Sequence, residues 1–253
     1  MNDISTHDQQ CNELENVIEI SQLKKHFGDY QALNSISLNV RKGQILALLG
    51  PNGAGKTTTI NCLLGFLKPN AGYVKIAGVD PQHDVVSVRK NLAYIPEQVA
   101  LYPRLTGLEN LVYFSKMANV HKSTDEFLSL LEYVALPRHA INKPINSYSK
   151  GMRQKVGIAI AVAKQAKALI LDEPTSGLDP SASYEFSQLI KRLAQQDVAI
   201  LMATHDLFRA QEDAHNVAIL NQGRLVDSLS FEQIQTVQLE SVYLQHIKAA
   251  QSC

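Results

Sequence analysis

The chain has 253 residues, of which 45% are hydrophobic, and its 24 lysines and arginines equal its 24 aspartates and glutamates in number. A formal charge of zero argues against a nucleic-acid-binding protein, which usually has a basic surplus, and three scattered cysteines favour neither a disulfide framework nor a zinc site. No run reaches the roughly 18 to 20 apolar residues of a membrane span, so any membrane role is expected to come through a partner.

In chain order, the first expected segment is a disordered polar tail at residues 1–16, which has neither the basic end nor the apolar run of a signal peptide. Short apolar runs then predict strands at 17–20, 37–40, 44–49, 73–76, 92–95, 169–172, 199–203 and 217–220. The Asn-Gln-Gly sequence at 221–223 predicts a hairpin turn into a last strand at 224–227. Strands that alternate with helical patterns indicate an α/β fold with a largely parallel sheet.

Helical patterns are expected at 55–67, 108–117, 123–135 and 151–164. The segment from about 98 to 165 contains no strand pattern, which predicts a helical lobe inserted into the sheet domain. The expected organisation is therefore one domain at 17–235, followed by a short C-terminal helix at 236–253.

The strongest local signal is the Gly-Pro-Asn-Gly-Ala-Gly-Lys-Thr sequence at 50–57, a full match to the phosphate-loop pattern G-x-x-x-x-G-K-[ST]. Its glycines allow backbone N–H groups to converge on phosphate oxygens, and the following helix adds the positive end of its dipole. Lys56 is expected to reach the β- and γ-phosphates, and the Thr57 hydroxyl to bind Mg²⁺. The strand before this loop and the helix after it argue against a chance glycine-rich turn. The expected ATP ligands here are Gly50, Asn52, Gly53, Ala54, Gly55, Lys56, Thr57 and Thr58.

An apolar strand followed by two acids, at 168–173, is the expected second half of such a site. We expect Asp172 to hold Mg²⁺ through water and Glu173 to act as the base for the attacking water. Many strands end in acids at the solvent, so this signal is weak alone. Together with the phosphate loop it predicts ATP hydrolysis.

Residues 148–154, Tyr-Ser-Lys-Gly-Met-Arg-Gln, resemble the signature of ATP-binding-cassette (ABC) ATPases, whose commonest form is LSGGQ. Ser149 and Gly151 match that form, whereas Tyr148, Lys150 and Met152 depart from it. Residues 174–179 are similar to the family's D-loop and residues 203–206 to its switch histidine. The resemblance covers about residues 17–235. It implies a P-loop ATPase core with a mixed, largely parallel sheet, an N-terminal antiparallel β portion and the inserted helical lobe.

The resemblance also implies a head-to-tail homodimer in which Ser149 and Gly151 of one copy bind the γ-phosphate held by the other, with Asp179 beside the nucleotide. Ser149 also suits an ordinary helix cap, and both roles can hold at once. His205 corresponds to a γ-phosphate sensor; the alternative is a hydrogen-bonded loop histidine.

Phe27 corresponds to the aromatic residue that stacks on adenine. Tyr30 is a competitor for this contact, and a core role for Phe27 is a further alternative.

Most family members have a glutamine after the strand near 95, but here Glu97 is at the matching position and Gln98 follows it. Neighbours in an extended segment point to opposite sides, so only one of them can face the phosphates. We expect Glu97 to do so and to contribute to metal binding and catalysis.

The signature, the Pro-Glu pair at 96–97 and the ending at 239–244 resemble one exporter subfamily. Its members serve drug, polysaccharide, sodium and copper-related systems, and they include the copper-maturation ATPase of nitrous-oxide reductase. This implies a polytopic membrane permease as partner and a peripheral location on the cytoplasmic face of the inner membrane. Residues 102–117 are the expected docking surface, with Tyr102, Tyr113 and Phe114 as anchors, although these rings could instead fill the lobe.

Two other functions remain open from the residues. A non-transport ABC ATPase of translation or DNA repair usually has paired cassettes, large insertions or a basic surface, which this sequence lacks. The second alternative function is that of a small P-loop kinase or GTPase. Residues 142–145 begin like the NKxD motif that binds guanine in GTPases, but they lack its aspartate.

Overall fold

Two sheets frame the protein, of which the computed structural model describes residues 15–249. The strands are β1 (Asn16–Phe27), β2 (Tyr30–Arg41), β3 (Ile45–Leu49), β4 (Ala71–Ile76), β5 (Leu92–Ile95), β6 (Ala168–Asp172), β7 (Ala199–Thr204), β8 (Asn216–Asn221) and β9 (Arg224–Leu229). The helices are α1 (Lys56–Leu63), α2 (Val85–Asn91), α3 (Gly107–Met117), α4 (Thr124–Tyr133), α5 (Lys150–Ala163), α6 (Pro180–Gln195), α7 (Leu207–Asp213), α8 (Phe231–Thr236) and α9 (Leu239–Ala249). Single 3₁₀ turns lie at Arg138–Ala140 and Ile145–Ser147. None of the helices within 15–249 combines the length and apolarity needed to cross a bilayer.

The larger sheet has six strands in the order β5-β6-β7-β3-β8-β9, parallel except for the β8–β9 pair. Its central strand β3 is buried on both faces, as a parallel strand covered on two sides should be. Ile45, Ala47 and Leu49 pack on the face toward the helical lobe, whereas Leu46 and Leu48 pack on the opposite face. The carboxyl ends of β3, β5, β6 and β7 meet at one edge of the sheet, where the predicted site residues follow them.

The smaller sheet is antiparallel, in the order β2-β1-β4, and it covers the second face of the larger sheet. This confirms the predicted N-terminal antiparallel portion. Both β1 and β2 have 12 residues and extend well beyond the predicted runs at 17–20 and 37–40. The additional positions are mostly half-buried or exposed polar residues, which weaken the apolar signal.

A helical lobe separates β5 from β6, as predicted, and consists of α3, α4, the two 3₁₀ turns and α5. Thr106 and Ser123 begin α3 and α4 with complete capping boxes, in which the N-cap hydroxyl and a glutamate three residues later satisfy reciprocal N–H groups. α3 and α4 both pack against α5, whose buried face reaches the sheet. The lobe is therefore attached to the sheet mainly through α5.

The β8–β9 hairpin also connects the two sheets, and its turn is the one predicted at 221–223. Gln222 and Gly223 both have positive φ, 47° and 73°, as a type I′ turn requires. The Gly223 N–H donates to the Ala54 carbonyl at 2.9 Å, and its own carbonyl accepts from the Asn34 N–H at 2.7 Å. A Cβ at Gly223 would lie 2.5 Å from the Ala32 carbonyl oxygen, so only glycine fits. The hairpin thus supports the phosphate loop from behind.

Three details differ from the sequence-based expectations. α1 ends at Leu63 rather than near 67, because Gly65 with φ 75° turns the chain and its N–H bonds to the Cys62 carbonyl. α2, α6, α7 and α8 have no predicted counterpart. The tail predicted at 1–16 lies outside the described residues up to 14, and Asn16 is the first residue of β1.

Candidate nucleotide-binding site

The phosphate loop joins β3 to α1 and leaves the start of that helix open. Gly55, at the N-cap, has φ 112°, and a Cβ there would lie 2.8 Å from Leu33 Cδ2 and 3.0 Å from the Ala32 carbonyl oxygen. No side chain caps α1. Within the described residues, the N–H groups of 55–58 donate no hydrogen bond to the protein. Such free N–H groups, with the positive end of the helix dipole, form a binding site for an anion.

A cavity of about 420 Å³ opens in front of this helix start. It brings together most of the predicted site residues, from the antiparallel sheet, the phosphate loop and the ends of β5 and β6. Its lining consists of Phe27, Tyr30, Ala32, Pro51, Asn52, Gly53, Gly55, Lys56, Thr57, Thr58, Glu97, Asp172 and Glu173. Gly50 and Ala54 shape the loop without lining the cavity, since their N–H groups donate to the carbonyls of Thr204 and Pro51.

A chain of polar contacts joins Lys56 to His205 through Glu173. The Lys56 ammonium, on a residue only 6% exposed, donates to the Gly50 and Pro51 carbonyls and lies 3.5 Å from Glu173 Oε1. The other carboxylate oxygen, Oε2, lies 2.9 Å from His205 Nδ1. His205 is far more open to solvent, with its side chain 58% exposed. Glu173 thus bridges a buried cation and an accessible imidazole.

Glu173 owes its orientation to an unusual backbone conformation. Its φ is 46°, in the left-handed region that residues other than glycine rarely adopt. The Glu173 N–H donates to the Ala203 carbonyl at 2.9 Å, and the carboxylate accepts weak bonds from the Thr204 hydroxyl and the His205 N–H. Strained residues of this kind concentrate at functional sites.

Asp172 lies at the end of β6, where the Tyr94 hydroxyl of the neighbouring strand donates to its Oδ2 at 3.4 Å. Partial burial, and then the negative charge of Glu173, raise the pKa of the Asp172 carboxyl above its usual value. Burial and the adjacent Asp172 raise the pKa of Tyr94 to about 12. A cation at this point would relieve the repulsion between the two neighbouring carboxylates.

Glu97 lines the cavity, and Gln98 is not part of its lining. Glu97 Oε1 accepts a hydrogen bond from the Ser176 hydroxyl at 3.1 Å and lies 3.4 Å from the Lys150 ammonium. The carboxylate therefore lies between the end of β5, the segment after β6 and the start of α5. Glu97 thus lies at the cavity of the phosphate loop, and its orientation toward bound phosphates stays a prediction.

The signature residues Ser149 and Gly151 and the D-loop residue Asp179 lie outside this cavity. Ser149 caps α5 by accepting from the Met152 N–H at 3.2 Å, and Asp179 caps α6 by accepting from the Ala182 N–H at 2.9 Å. A Cβ at Gly151 would make only ordinary contacts, 3.5 Å or more, with its own chain. Packing within the chain thus does not require glycine at 151.

Both aromatic candidates for the adenine contact line the cavity. Phe27 and Tyr30 are exposed at adjacent ends of β1 and β2, and the Lys25 ammonium lies 5.1 Å from the centre of the Phe27 ring. The exposure of Phe27 excludes the core role that was left open. Phe27 is 47% exposed and Tyr30 is 63% exposed, so either ring is accessible for stacking.

Sequence reasoning missed several residues that contact the predicted ones. Tyr94 reaches Asp172, Thr204 reaches Glu173, and both Lys150 and Ser176 reach Glu97. The signals available were indirect: Lys150 stood out as a departure within the signature, and Ser176 lies in the D-loop segment. Tyr94 is placed by β5–β6 pairing, which the sequence does not specify.

Comparisons with known proteins identify the family of the chain. Residues 33–176 match the family model described as ABC transporter. The chain is 41% identical over 221 residues to the uncharacterized ABC transporter ATP-binding protein YdbJ of Bacillus subtilis (strain 168), covering 86% of this chain and 70% of that protein. It is 35% identical to the bacitracin transport ATP-binding protein BcrA of Bacillus licheniformis, covering 86% and 71% of the two chains.

Among solved structures, the fold matches a dimeric ATP-binding cassette in a post-hydrolysis state bound to ADP and Pi. The TM-score is 0.74 at 25% identity, over 85% of this chain and 98% of the other. The family match spans the phosphate loop, the signature, Asp172 and Glu173. The chain therefore belongs to the ABC transporter family, as one of its ATP-binding and ATP-hydrolysing subunits.

Proposed function

We propose that the chain hydrolyses Mg²⁺-bound ATP in the cavity in front of α1, as a homodimer that powers a separate polytopic permease at the cytoplasmic face of the inner membrane. The cassette would span 17–235, with 236–253 as a C-terminal extension. The single observation that carries the proposal is the uncapped start of α1, which opens on the same cavity as Lys56, Asp172 and Glu173. The free N–H groups would bind the phosphates, and Lys56 would neutralise part of their charge.

Two hard oxygen donors suit a magnesium ion in the same cavity. The Thr57 hydroxyl and the Asp172 carboxylate both line it, and Glu97 adds a second carboxylate. Mg²⁺ prefers such ligands together with phosphate oxygens and water. When bound, it would neutralise charge on the β- and γ-phosphates. Burial, and then the charge of Glu173, raise the pKa of Asp172, and a cation bound at this position would stabilise the charged carboxylate.

Glu173 is the proposed general base. Its carboxylate would accept a proton from the attacking water, while His205 at 2.9 Å orients the same carboxylate. Glu173 also lies beside Lys56 at 3.5 Å, so the phosphates would compete with it for the ammonium. Binding of ATP would thereby release the carboxylate for its role as base. Phe27, or Tyr30 as the alternative, would stack on the adenine.

The proposed dimer is head-to-tail, with Ser149, Gly151 and Asp179 of one copy facing the phosphate loop of the other. Ser149 and Gly151 lie at the exposed start of α5, where N–H groups suit a γ-phosphate. Because packing within this chain does not require glycine at 151, the glycine supports a close approach by the nucleotide bound to the other copy. The fold also matches a cassette whose solved structure is dimeric, which supports a dimer.

An aromatic cluster on the helical lobe is the proposed docking surface for the permease. Tyr102, Tyr113 and Phe114 have ring centroids 4.8 to 5.8 Å apart, and the two tyrosines are exposed. Tyr102 and Tyr113 also line a cavity of about 410 Å³ with Pro103, Arg104 and Leu105. Exposed aromatic side chains beside a pocket are typical anchors of protein interfaces. We propose an exporter, since a relative 34% identical to this chain is named for export of the SkfA peptide.

The test is ATP hydrolysis by the purified chain and by Lys56→Ala. We expect Lys56→Ala to weaken nucleotide binding and abolish turnover, because the charge that compensates the phosphates is lost. Lys143→Ala, which removes an exposed lysine of the helical lobe, is the control and should hydrolyse ATP normally. Turnover by Lys56→Ala at the wild-type rate would contradict the proposed site.

Dimer formation has its own test, in light scattering with Glu173→Gln and Mg²⁺-ATP. The variant should convert from monomer to dimer on addition of ATP, and Ser149→Arg in the same background should block that conversion. A trapped ATP complex that remains monomeric at high concentration, alone and with the permease, would count against the head-to-tail arrangement.

A further inference from the structure

Lys150 has a position that helix stability does not explain. It is the first residue of α5, where the positive end of the helix dipole disfavours a cation, and the first turn contains no acidic residue. Its ammonium instead extends to Glu97 Oε1 at 3.4 Å. The side chain is 26% exposed, so it is held against the protein rather than free in solvent.

The carboxylate that Lys150 contacts is held from a second side. Ser176 donates its hydroxyl to the same oxygen of Glu97 at 3.1 Å, and the Ser176 N–H donates to the Glu173 carbonyl at 3.2 Å. Glu97 is therefore fixed between α5 and the segment that contains the proposed base. Gln154 of α5 donates to the Pro174 carbonyl in the same segment, which adds a second link from the helix.

The contact between Lys150 and Glu97 balances charge at the cavity. The cavity contains three carboxylates, on Glu97, Asp172 and Glu173, and Lys56 is the cation beside Glu173. Lys150 supplies the cation beside Glu97. Without it, the Glu97 carboxylate would face the other two with only the Ser176 hydroxyl as partner, and repulsion would favour rotation toward solvent.

We infer that Lys150 is a positioning residue for hydrolysis, which holds the Glu97 carboxylate toward the phosphates and joins α5 to the site. The inference rests on the proposed function of the cavity. It predicts that Lys150 acts through the charge of Glu97, so its removal matters only when Glu97 is present.

A double-mutant cycle tests this dependence. Turnover at saturating Mg²⁺-ATP, KM for ATP and urea unfolding without nucleotide would be measured for Lys150→Met, Glu97→Gln and the double variant. Lys150→Met should lower kcat by about two- to fivefold, the range of a partly exposed ion pair, with little change in KM. In the Glu97→Gln background the same substitution should leave kcat unchanged. Lys150→Arg should restore activity, and Lys143→Met is the control lysine of the same lobe.

The urea series gives a readout that does not depend on catalysis. The cycle should show a coupling of about two- to fivefold in the unfolding equilibrium constant. Equal losses of kcat from Lys150→Met in both backgrounds would overturn the inference, because Lys150 would then act elsewhere. Coupling in unfolding without coupling in turnover would also overturn it, since the pair would be purely structural. Wild-type turnover by Lys56→Ala in the same series would refute the proposed site itself.

Discussion

Replacement of Glu173 by glutamine separates the two roles proposed for this residue. The amide keeps the shape of the side chain and can still accept from His205 and the Thr204 hydroxyl, but it can neither take a proton nor neutralise Lys56. Turnover should therefore fall by about 10²- to 10⁴-fold, the contribution of a positioned acid–base group. The second effect, on the buried ammonium, has a magnitude that follows from the geometry.

Two charges 3.5 Å apart attract by about 5 kcal/mol at an effective dielectric constant near 20. Removal of one partner of a buried pair typically costs about 3 to 5 kcal/mol. Lys56 retains the Gly50 and Pro51 carbonyls as acceptors, so we expect a smaller loss, about 2 to 3 kcal/mol in the free energy of unfolding. For a chain of this length, the melting temperature should fall by about 5 to 10 °C.

Nucleotide should narrow the difference in stability between the wild type and Glu173→Gln. In the wild type the phosphates must replace Glu173 beside Lys56, whereas in Glu173→Gln the ammonium has no carboxylate to lose. The variant should therefore bind a non-hydrolysable ATP analogue more tightly, by about five- to tenfold if half of the lost energy is recovered. Thermal unfolding with and without the analogue measures both quantities. Glu132→Gln, which breaks an exposed pair with Arg138, is the control and should cost less than about 1 kcal/mol.

Three outcomes would refute this reasoning. An unchanged melting temperature without nucleotide would mean that the contact between Lys56 and Glu173 contributes no stability. Equal shifts on addition of the analogue to both proteins would mean that the phosphates do not compete with Glu173. Turnover within about tenfold of the wild type would mean that Glu173 is not the base.

Three further predictions concern the neighbours of Glu173. His205→Ala should lower turnover by about tenfold or more while ATP still binds, because the carboxylate loses its partner at 2.9 Å; a loss of thermal stability without a loss of turnover would indicate a structural histidine. Glu97→Ala should reduce turnover much more than Gln98→Ala, and Glu97→Gln should retain substantial activity; the opposite order in a phosphate-release assay would mean that Gln98 is the functional residue. Asp172→Asn should raise the urea midpoint although it impairs hydrolysis. Because the pKa of Asp172 is raised in the folded state, the folded wild type loses stability as the pH rises from the unfolded-state pKa to the folded-state pKa. The stabilisation by Asp172→Asn should therefore be larger at neutral pH than below about pH 4.

The parts of the fold that sequence predicted are those with strong local signals. The phosphate loop needs glycines at fixed spacing, and the buried strands β3, β6 and β7 are continuous apolar runs. The Asn-Gln-Gly turn at 221–223 was readable for the same reason, since glycine marks the positive φ of a type I′ turn. α2 has only seven residues, with one buried side chain and two adjacent valines that favour a strand, so its pattern was ambiguous.

The contacts that organise the site depend on distances that sequence does not give. Glu97 and Lys150 are 53 positions apart, and Lys56 precedes the inserted lobe in the sequence whereas Glu173 follows it. The sequence predicted which residue types meet at the sheet edge, but the partner of each depends on strand order and on the seating of α5. The left-handed backbone conformation of Glu173 could not be predicted either, because a glutamate in the sequence does not indicate a positive φ.

The hairpin between β8 and β9 has a practical consequence for anyone who modifies this protein. A two-residue turn between short strands is where affinity tags, fluorescent domains or new chain termini are often introduced, because such tips usually tolerate insertion. Here the turn backbone is bonded to both Ala54 and Asn34, and Gly223 has no room for a side chain. An insertion at 222–223 should therefore disturb the phosphate loop without altering any residue that faces the cavity. Reporter fusions are better placed elsewhere on the chain.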